Sequence, residues 1–217
     1  GVELNDFESE LTSAIEKIEP LWMLHSSMQA DFEKGIAEKE SQKGVSKVAQ
    51  FKGEVLPNYG RQTILKVSGE EFLKNESLSH EVFGPFSILV ECEDEVQLIQ
   101  IINKLDGQLT GTIISEEKEL QKHQAVIFAL QNRVGRLIFN GVPTGVEVCA
   151  SMLHGGPYPA SSDSRFTAVG THAVYRWVRP LSYQNWPDDL LPAELQNDNP
   201  LQIARTVNNK LTLASYE

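Results

Sequence analysis

Short apolar runs alternate with segments of helical periodicity between Ser87 and Asn140, and this alternation restricts the fold more than any other feature of the chain. In order, the pattern predicts a strand at 87–91, a helix at 94–107, a strand at 111–115, a helix at 119–133 and a strand at 136–140. Asp94 is a suitable helix cap, and Gly107 a suitable end. Strand, helix, strand, helix, strand at this spacing indicates an α/β protein with a parallel sheet and right-handed crossovers.

The remaining segments frame this unit. Apolar residues at helical spacing predict helices near 4–18 and 26–39, and alternating residues predict strands at 45–51 and 62–67. From Gly141 to Arg165 the chain is irregular and rich in Gly, Pro and Ser, which in a compact domain is more typical of a site than of a spacer. Apolar side chains then alternate from Thr171 to Tyr183, and this pattern predicts a long edge strand.

Composition excludes several classes of partner. The 217 residues include 30 acidic and 19 basic side chains, for a net charge of -11, and the basic residues are scattered. This argues against nucleic acid or an anionic membrane as the partner. No apolar run approaches the length that spans a bilayer, and the start of the chain lacks the pattern of a signal peptide, so we expect a soluble, cytoplasmic protein.

The cysteine content indicates a reducing compartment. Cys92 and Cys149 are the only cysteines, and a disulfide framework would need more. The histidines show no metal-ligand spacing, so no metal site is predicted. The chain begins with Gly1 rather than Met, and we interpret it as a fragment, a processed product or a chain with a tag remnant.

The segment His80–Phe86, with sequence HEVFGPF, carries the strongest chemical signal. It places the carboxylate of Glu81 and the ring of Phe83 two residues apart, just before Gly-Pro and a buried strand. A carboxylate offers two oxygens to a vicinal diol, and charge-assisted hydrogen bonds are the stronger kind. The segment therefore predicts a rigid holder for a flat, hydroxylated ligand.

Three stretches together resemble consecutive landmarks of the aldehyde dehydrogenase superfamily, and they lie at residues 80–91, 136–146 and 147–192. A narrower likeness, to the branch that oxidises 2-oxoglutarate semialdehyde, rests on the sequences at 23–25, 142–149, 154–163, 179–184 and 199–201. The resemblance implies a partial fold: the C-terminal catalytic domain at 1–170, and an oligomerisation strand and tail at 171–217. The N-terminal part and the cofactor domain are expected outside this chain, and the whole protein is expected to be a homo-oligomer.

The resemblance also implies the chemistry of the whole protein. In this family a cysteine thiolate attacks a small aldehyde to give a thiohemiacetal, hydride passes to NAD or NADP, and water activated by a glutamate releases the carboxylic acid. Glu81 would bind the hydroxyls of the nicotinamide ribose, and Phe83 would pack near the nicotinamide. The branch favours NADP. The nucleophile and the general base have no counterpart in these residues, so no catalytic residue is assigned and the chain alone should be inactive.

Several alternatives stay open. Cys149, His154, Tyr158 and Phe166 would line the substrate tunnel, although aromatic residues in such loops also serve to fix the loop to the core. Cys149 with His154 would alternatively form an independent thiol site, or Cys149 would be redox-sensitive. Arg165 is expected to pair with Asp163 rather than with substrate. From a different class, the chain would be a noncatalytic interaction or oligomerisation module derived from this fold.

Overall fold

The computed structural model describes residues 2–143 and 145–216, so Thr144 of the 142–149 motif lies outside the described residues. The chain forms two compact units, one ending at Arg176 and the other beginning at Trp177. The boundary that the sequence places after residue 170 stays a prediction.

The helices follow the sequence pattern closely. They are α1 (Val2–Ile15), α2 (Ser26–Glu40), α3 (Gly69–Lys74), α4 (Glu95–Lys104), α5 (Glu117–Leu120) and α6 (Gln124–Gln131), with 3-10 turns at Glu76–Ser79, Thr171–Arg176 and Asp188–Leu190. Asp94 caps α4, because its side chain accepts a hydrogen bond from the backbone N of Gln97 at 2.8 Å. The predicted helix at 119–133 is instead divided between α5 and α6. None of the helices within the described residues is long and apolar enough to cross a membrane.

The strands confirm the α/β class. They are β1 (Leu21–Trp22), β2 (Ser46–Gln50), β3 (Tyr59–Gly60), β4 (Thr63–Ser68), β5 (Phe86–Glu91), β6 (Gln108–Ile113), β7 (Val134–Phe139), β8 (Arg205–Val207) and β9 (Lys210–Thr212). In the first unit β2 and β5 flank β4, antiparallel and parallel respectively, and β6 pairs with β7 in parallel. Two antiparallel pairs, β1 with β3 and β8 with β9, complete the described strands.

The core is centred on β4. Leu65 and Val67 are fully enclosed, and Val67 packs with Phe72 and Leu78 and with Ile101 of α4. A second cluster joins α2 to the segment before β5; its members are Met23, Phe32, Ile36, Met28, Val82 and Phe86. This second cluster fixes the position of the predicted ligand holder.

The parallel pairing predicted for the strands from 87 to 140 divides them between two sheets. β5 pairs with β4, whereas β6 pairs with β7, and no described strand joins β5 to β6. A parallel crossover specifies handedness and direction but leaves open how many strand positions it skips. The periodicity of the sequence carries no information on that number.

The predicted strand at 171–183 is wrong for this chain. Thr171–Arg176 is a 3-10 turn, and the residues from Trp177 to Tyr183 have no regular structure. A strand needs a neighbour to pair its backbone groups, and no described strand pairs with this segment. Local bonds replace the ladder: the backbone N of Ala173 donates to the carbonyl of Gly170 at 3.1 Å.

Candidate functional site

The segment that carries Glu81 and Phe83 is held against α2 by its glycine. Gly84 has a φ of +151°, and a Cβ built there would lie 2.4 Å from Cδ2 of Phe32. A side chain at this position would therefore collide with the core, so only glycine lets the chain pass this close. The next residue, Pro85, leads into β5 and accepts a hydrogen bond from the backbone N of Thr63 at 3.0 Å.

Side chains alternate in direction along this segment. Val82 packs inward, and Gly35 of α2 makes room for it, since a Cβ on Gly35 would lie 3.0 Å from Cγ1 of Val82. Glu81 and Phe83 on either side are exposed, with 65% of Phe83 accessible. The half-buried valine thus leaves the carboxylate and the ring on either side of it accessible to a ligand.

Both side chains line one cavity of about 470 Å³, whose other wall is α2. The polar residues of that wall were not predicted from the sequence; they are His25, Asp31, Lys34 and Glu38. Asp31, Lys34 and Glu38 recur every three to four residues, so they follow the spacing of one helical stripe, and His25 caps the same helix. That stripe was a usable signal, but it gave no indication of which segment it would face.

The charges around the cavity leave Glu81 available. Lys34 approaches Glu38 at 3.8 Å, and both side chains are largely exposed. Among the described residues no hydrogen bond or ion pair engages the Glu81 carboxylate. The cavity therefore offers a carboxylate that could accept hydrogen bonds from a diol and an aromatic face that could pack on a planar ring.

A buried lysine anchors α2 beneath this site. Lys39 donates a hydrogen bond to the carbonyl of Ser77, in the turn just before His80. Burial lowers the pKa of Lys39, and the nearby Glu38 opposes that change. This contact joins α2 to the turn that precedes Glu81, so it links the two segments that form the walls of the cavity.

The predicted tunnel residues are brought together only in part. His154 and Phe166 line a second cavity of about 240 Å³, together with Leu109 and Arg176 among others. The backbone N of His154 donates to Oγ1 of the buried Thr167 at 2.8 Å. That bond fixes the loop around the cavity.

Tyr158 and Cys149 do not line this second cavity. Tyr158 is 81% exposed, and its carbonyl accepts a hydrogen bond from the backbone N of Gly107 at 3.2 Å. The thiol of Cys149 lies 3.5 Å from Oγ of Ser151. Within the described residues no hydrogen bond joins Cys149 to His154, so the geometry does not form the dyad that an independent thiol enzyme would need.

Two other sequence signals have structural explanations. Burial raises the pKa of the Cys92 thiol, and the negative charge of Asp94 adds to the effect, so Cys92 is a poor nucleophile. Arg165 forms a forked ion pair with Asp163, with the shortest contact at 2.6 Å. Hydrogen bonds from Arg165 lower the pKa of Asp163 to about 2. The described residues contain no cluster of three or more side chains suited to a metal ion.

Comparisons with known proteins find aldehyde dehydrogenases, both by sequence and by structure. No protein-family model matches the chain. An alpha-ketoglutaric semialdehyde dehydrogenase from Acinetobacter baylyi is 39% identical over 98% of this chain and 41% of its own length. A second, from Azospirillum brasilense, is 36% identical over 97% of this chain and 40% of its own length. The chain thus spans about two fifths of the curated relatives it matches.

Solved structures share the fold. Betaine aldehyde dehydrogenase from Staphylococcus aureus, in complex with NAD⁺, matches 80% of this chain and 35% of its own with a TM-score of 0.61 at 18% identity. Succinic semialdehyde dehydrogenase from Streptococcus pyogenes, in complex with NADP⁺, matches 71% of this chain and 34% of its own with a TM-score of 0.54 at 19% identity. This chain therefore has part of the aldehyde dehydrogenase fold, and over almost its whole length its sequence is similar to those of two alpha-ketoglutaric semialdehyde dehydrogenases.

Proposed function

We propose that these residues serve as the C-terminal catalytic part of an NAD(P)-dependent aldehyde dehydrogenase, and that its substrate is 2-oxoglutarate semialdehyde. The observation that carries the proposal is the pairing of an uncommitted carboxylate, Glu81, with the exposed ring of Phe83 at one cavity. The similarity to two alpha-ketoglutaric semialdehyde dehydrogenases supports the same substrate. The chain alone is inactive, because it has no candidate for the nucleophile.

In this proposal Glu81 accepts hydrogen bonds from both hydroxyls of the nicotinamide ribose, and Phe83 packs against the neighbouring ring. The cofactor, when bound, supplies the hydride acceptor. This chain contributes to orientation, because Val82 and Gly84 pack the backbone beside Glu81 and Phe83 against α2. A carboxylate carried on a packed backbone needs less reordering to reach the ribose hydroxyls, and correct placement of the nicotinamide favours hydride transfer.

The test is Glu81→Gln in the longer protein that contains this chain. We expect hydride transfer from 2-oxoglutarate semialdehyde to slow by about 10- to 100-fold, since hydrogen bonds to charged groups contribute about 1.5 to 3 kcal/mol. Pre-steady-state formation of NADPH measures that rate. Glu76→Gln, an exposed carboxylate in the preceding turn, is the matched control. An unchanged rate in Glu81→Gln would remove the assignment.

The proposal also includes a preferred cofactor, NADP, and a cellular compartment, the cytoplasm. NADP is the preferred cofactor, because the resembled branch favours it, and a higher kcat/KM with NAD would reverse this. The free thiols of Cys92 and Cys149 are consistent with a reducing, cytoplasmic compartment. If the longer protein oxidised no aldehyde with either cofactor, the interaction module would be the better description.

Homo-oligomerisation is supported by the unit beginning at Trp177. Its exposed apolar side chains include Trp177, Leu181 and Leu190, which are 83%, 63% and 63% accessible. Large exposed apolar groups of this kind mark contact surfaces. We expect Trp177→Ser with Leu181→Ser to shift the longer protein to a smaller species in light scattering. Leu24→Ser, which changes a leucine of the first unit that is 81% accessible, should leave its mass unchanged. Equal masses for all three proteins would contradict this contact surface.

A further inference from the structure

Two side-chain hydrogen bonds join the C-terminal end of α2 to the 3-10 turn that precedes Glu81. Lys39, in the last turn of α2, donates to the carbonyl of Ser77. Gln42, just beyond the helix, accepts from Nδ2 of Asn75 at 2.8 Å. We call these two contacts the α2 clasp. They connect positions that are 38 and 33 residues apart in the chain.

The turn is also held by its own cap and by the core. Asn75 caps it, because Oδ1 of Asn75 accepts hydrogen bonds from the backbone N of Ser77 at 3.1 Å and from its Oγ at 2.7 Å. Leu78 of the turn is 2% accessible and packs in the core centred on β4. Only His80 separates the turn from Glu81. A shift of the turn would therefore move the Glu81 carboxylate.

The helix that carries Lys39 also supplies the wall of the cavity opposite Glu81. Asp31, Lys34 and Glu38 line that cavity, whereas Lys39 is not among its lining residues. The helix is continuous from this wall to Lys39, and its backbone hydrogen bonds make it move as one segment. Movement of the end of α2 relative to the turn would therefore change the distance between Glu81 and the α2 wall.

The apolar contact between Val82 and Gly35 holds the same segments together, but it does not fix their relative position by itself. The hydrophobic effect is non-directional, so two apolar surfaces can slide past each other at little cost. Hydrogen bonds weaken steeply away from their preferred distance and angle. The α2 clasp is therefore the contact that specifies one position of the turn relative to the helix.

Burial makes a lysine at position 39 a poor choice for stability alone. Lys39 is 6% accessible, whereas the side chains of Lys34 and Lys43 are 75% and 85% exposed. A buried ammonium costs free energy, which a contact with one carbonyl offsets only in part. The Ser77 carbonyl also accepts from the backbone N of His80 at 3.3 Å, so it would keep a partner without the lysine. An apolar side chain of similar length would stabilise the fold at least as well.

We propose that Lys39 is a positioning residue for the dinucleotide. Its hydrogen bond to Ser77, together with the second contact of the α2 clasp, holds Glu81 at one distance from the α2 wall. That distance determines whether the carboxylate reaches both hydroxyls of the nicotinamide ribose. Lys39 touches no ligand itself and acts through Glu81. The proposal rests on the proposed function, which assigns the dinucleotide to this cavity.

The first experiment measures the Kd of NADPH by fluorescence titration of the longer protein that contains this chain. Lys39→Met keeps the length of the side chain and removes its donor. We expect the Kd to rise by about 3- to 30-fold, the range for substitutions that act on a site without touching its ligand. The KM of the aldehyde should stay the same, because the clasp positions the group that holds the cofactor.

Lys43→Met is the matched control, since Lys43 lies just beyond the same helix and its side chain is largely exposed. It should leave the Kd of NADPH unchanged. Urea denaturation distinguishes positioning from loss of stability: Lys39→Met should keep the midpoint of the unmodified protein, because the buried charge contributes little to the fold. Should Lys39→Met fail to fold, Gln42→Ala carries the test. It removes the other contact of the clasp at a partly exposed side chain, and it should raise the Kd in the same way.

The second experiment is a double-mutant cycle that tests whether Lys39 acts through Glu81. Glu81→Gln alone should raise the Kd of NADPH. Adding Lys39→Met to Glu81→Gln should raise it little further, because the group that the clasp positions has already lost its charge. Residues that act through one another give such non-additive effects, whereas independent residues give additive ones.

Three outcomes would overturn the positioning role: an unchanged Kd in the clasp variant, an equal rise in Lys43→Met, or additive effects in the cycle. The Glu81→Gln variant separates this failure from that of the proposed function. A raised Kd in Glu81→Gln beside an unchanged Kd in Lys39→Met refutes only the role of Lys39. Unchanged NADPH binding and hydride transfer in Glu81→Gln would refute the assignment of the cavity itself.

Discussion

The first unit has two halves, one built on β4 and the other on β6 and β7. Their sequence patterns are similar, but their apolar side chains differ in burial. Leu65 of β4 is 0% accessible, whereas Leu137 of β7 is 38% accessible. Both lie in apolar strands with a helix nearby. The difference arises because β4 has strands on both sides, whereas within the described residues β6 and β7 pair only with each other. Apolar composition alone thus shows that a strand should be buried, not that it has neighbours to bury it.

The largest effect is expected from truncating matched leucines in the two halves. Leu65→Ala should lower the free energy of unfolding by about 2 to 5 kcal/mol, because the deletion leaves a cavity in a closed core. Leu137→Ala should lower it by about 0.5 kcal/mol or less, as for other accessible positions. Urea denaturation of both variants measures the difference. Equal losses would show that the two halves are equally enclosed in solution.

Glycine substitutions give the next effect and examine the candidate site. Gly84→Ala should lower the free energy of unfolding by about 1 to 3 kcal/mol, since its Cβ would lie 2.4 Å from Phe32 at an unfavourable φ. Gly145→Ala, with no described atom within 4 Å of its Cβ, is the control in the open half. Thermal unfolding provides the measurement. A neutral Gly84→Ala would mean that the segment carrying Glu81 is not held rigidly.

The smallest effect concerns a charge cluster that joins α1 to the β4 sheet. Lys66 lies 2.5 Å from Glu8 and 3.0 Å from Glu91, and hydrogen bonds to these two carboxylates raise its pKa. The stabilisation is therefore complete below the unfolded-state pKa of about 10.4 and disappears as the pH rises through the higher folded-state value. Lys66→Met should cost about 1 kcal/mol near neutral pH.

The pH profile is the decisive measurement for this cluster. The unmodified chain should lose its advantage over Lys66→Met as the pH rises above about 10.4. Lys43→Met, which removes the exposed partner of Glu71 at 3.3 Å, should follow the unmodified chain. Parallel profiles for all three proteins would indicate that the Lys66 cluster contributes nothing measurable.

Much of the first unit was predictable from local patterns. The helix bounds near Ser26 and Glu95 follow from periodicity and caps, and β4, β5 and β7 follow from apolar runs. The short helix α3 was missed, because six residues are too few to establish a period. The strand at 171–183 was wrong, because alternation indicates which residues could share a face but does not provide a pairing partner.

The candidate site was likewise predictable only in part from the sequence. Glu81 and Phe83 were predictable from the motif and the resemblance, and their roles stay predictions. The α2 residues that complete the cavity, such as Asp31 and Lys34, were not predictable, since they are some fifty positions away and meet the motif only through packing. Of the predicted tunnel residues, His154 and Phe166 share a cavity, whereas Tyr158 and Cys149 do not line it.

The sequence by itself determined the class of this protein, because periodicity, caps and a glycine-proline turn act over a few residues and leave their signals in the order of residue types. Only the tertiary structure decided which strands are neighbours and which helix faces Glu81. Pairing and packing join positions far apart in the chain, and their free energies depend on surfaces that exist only after folding.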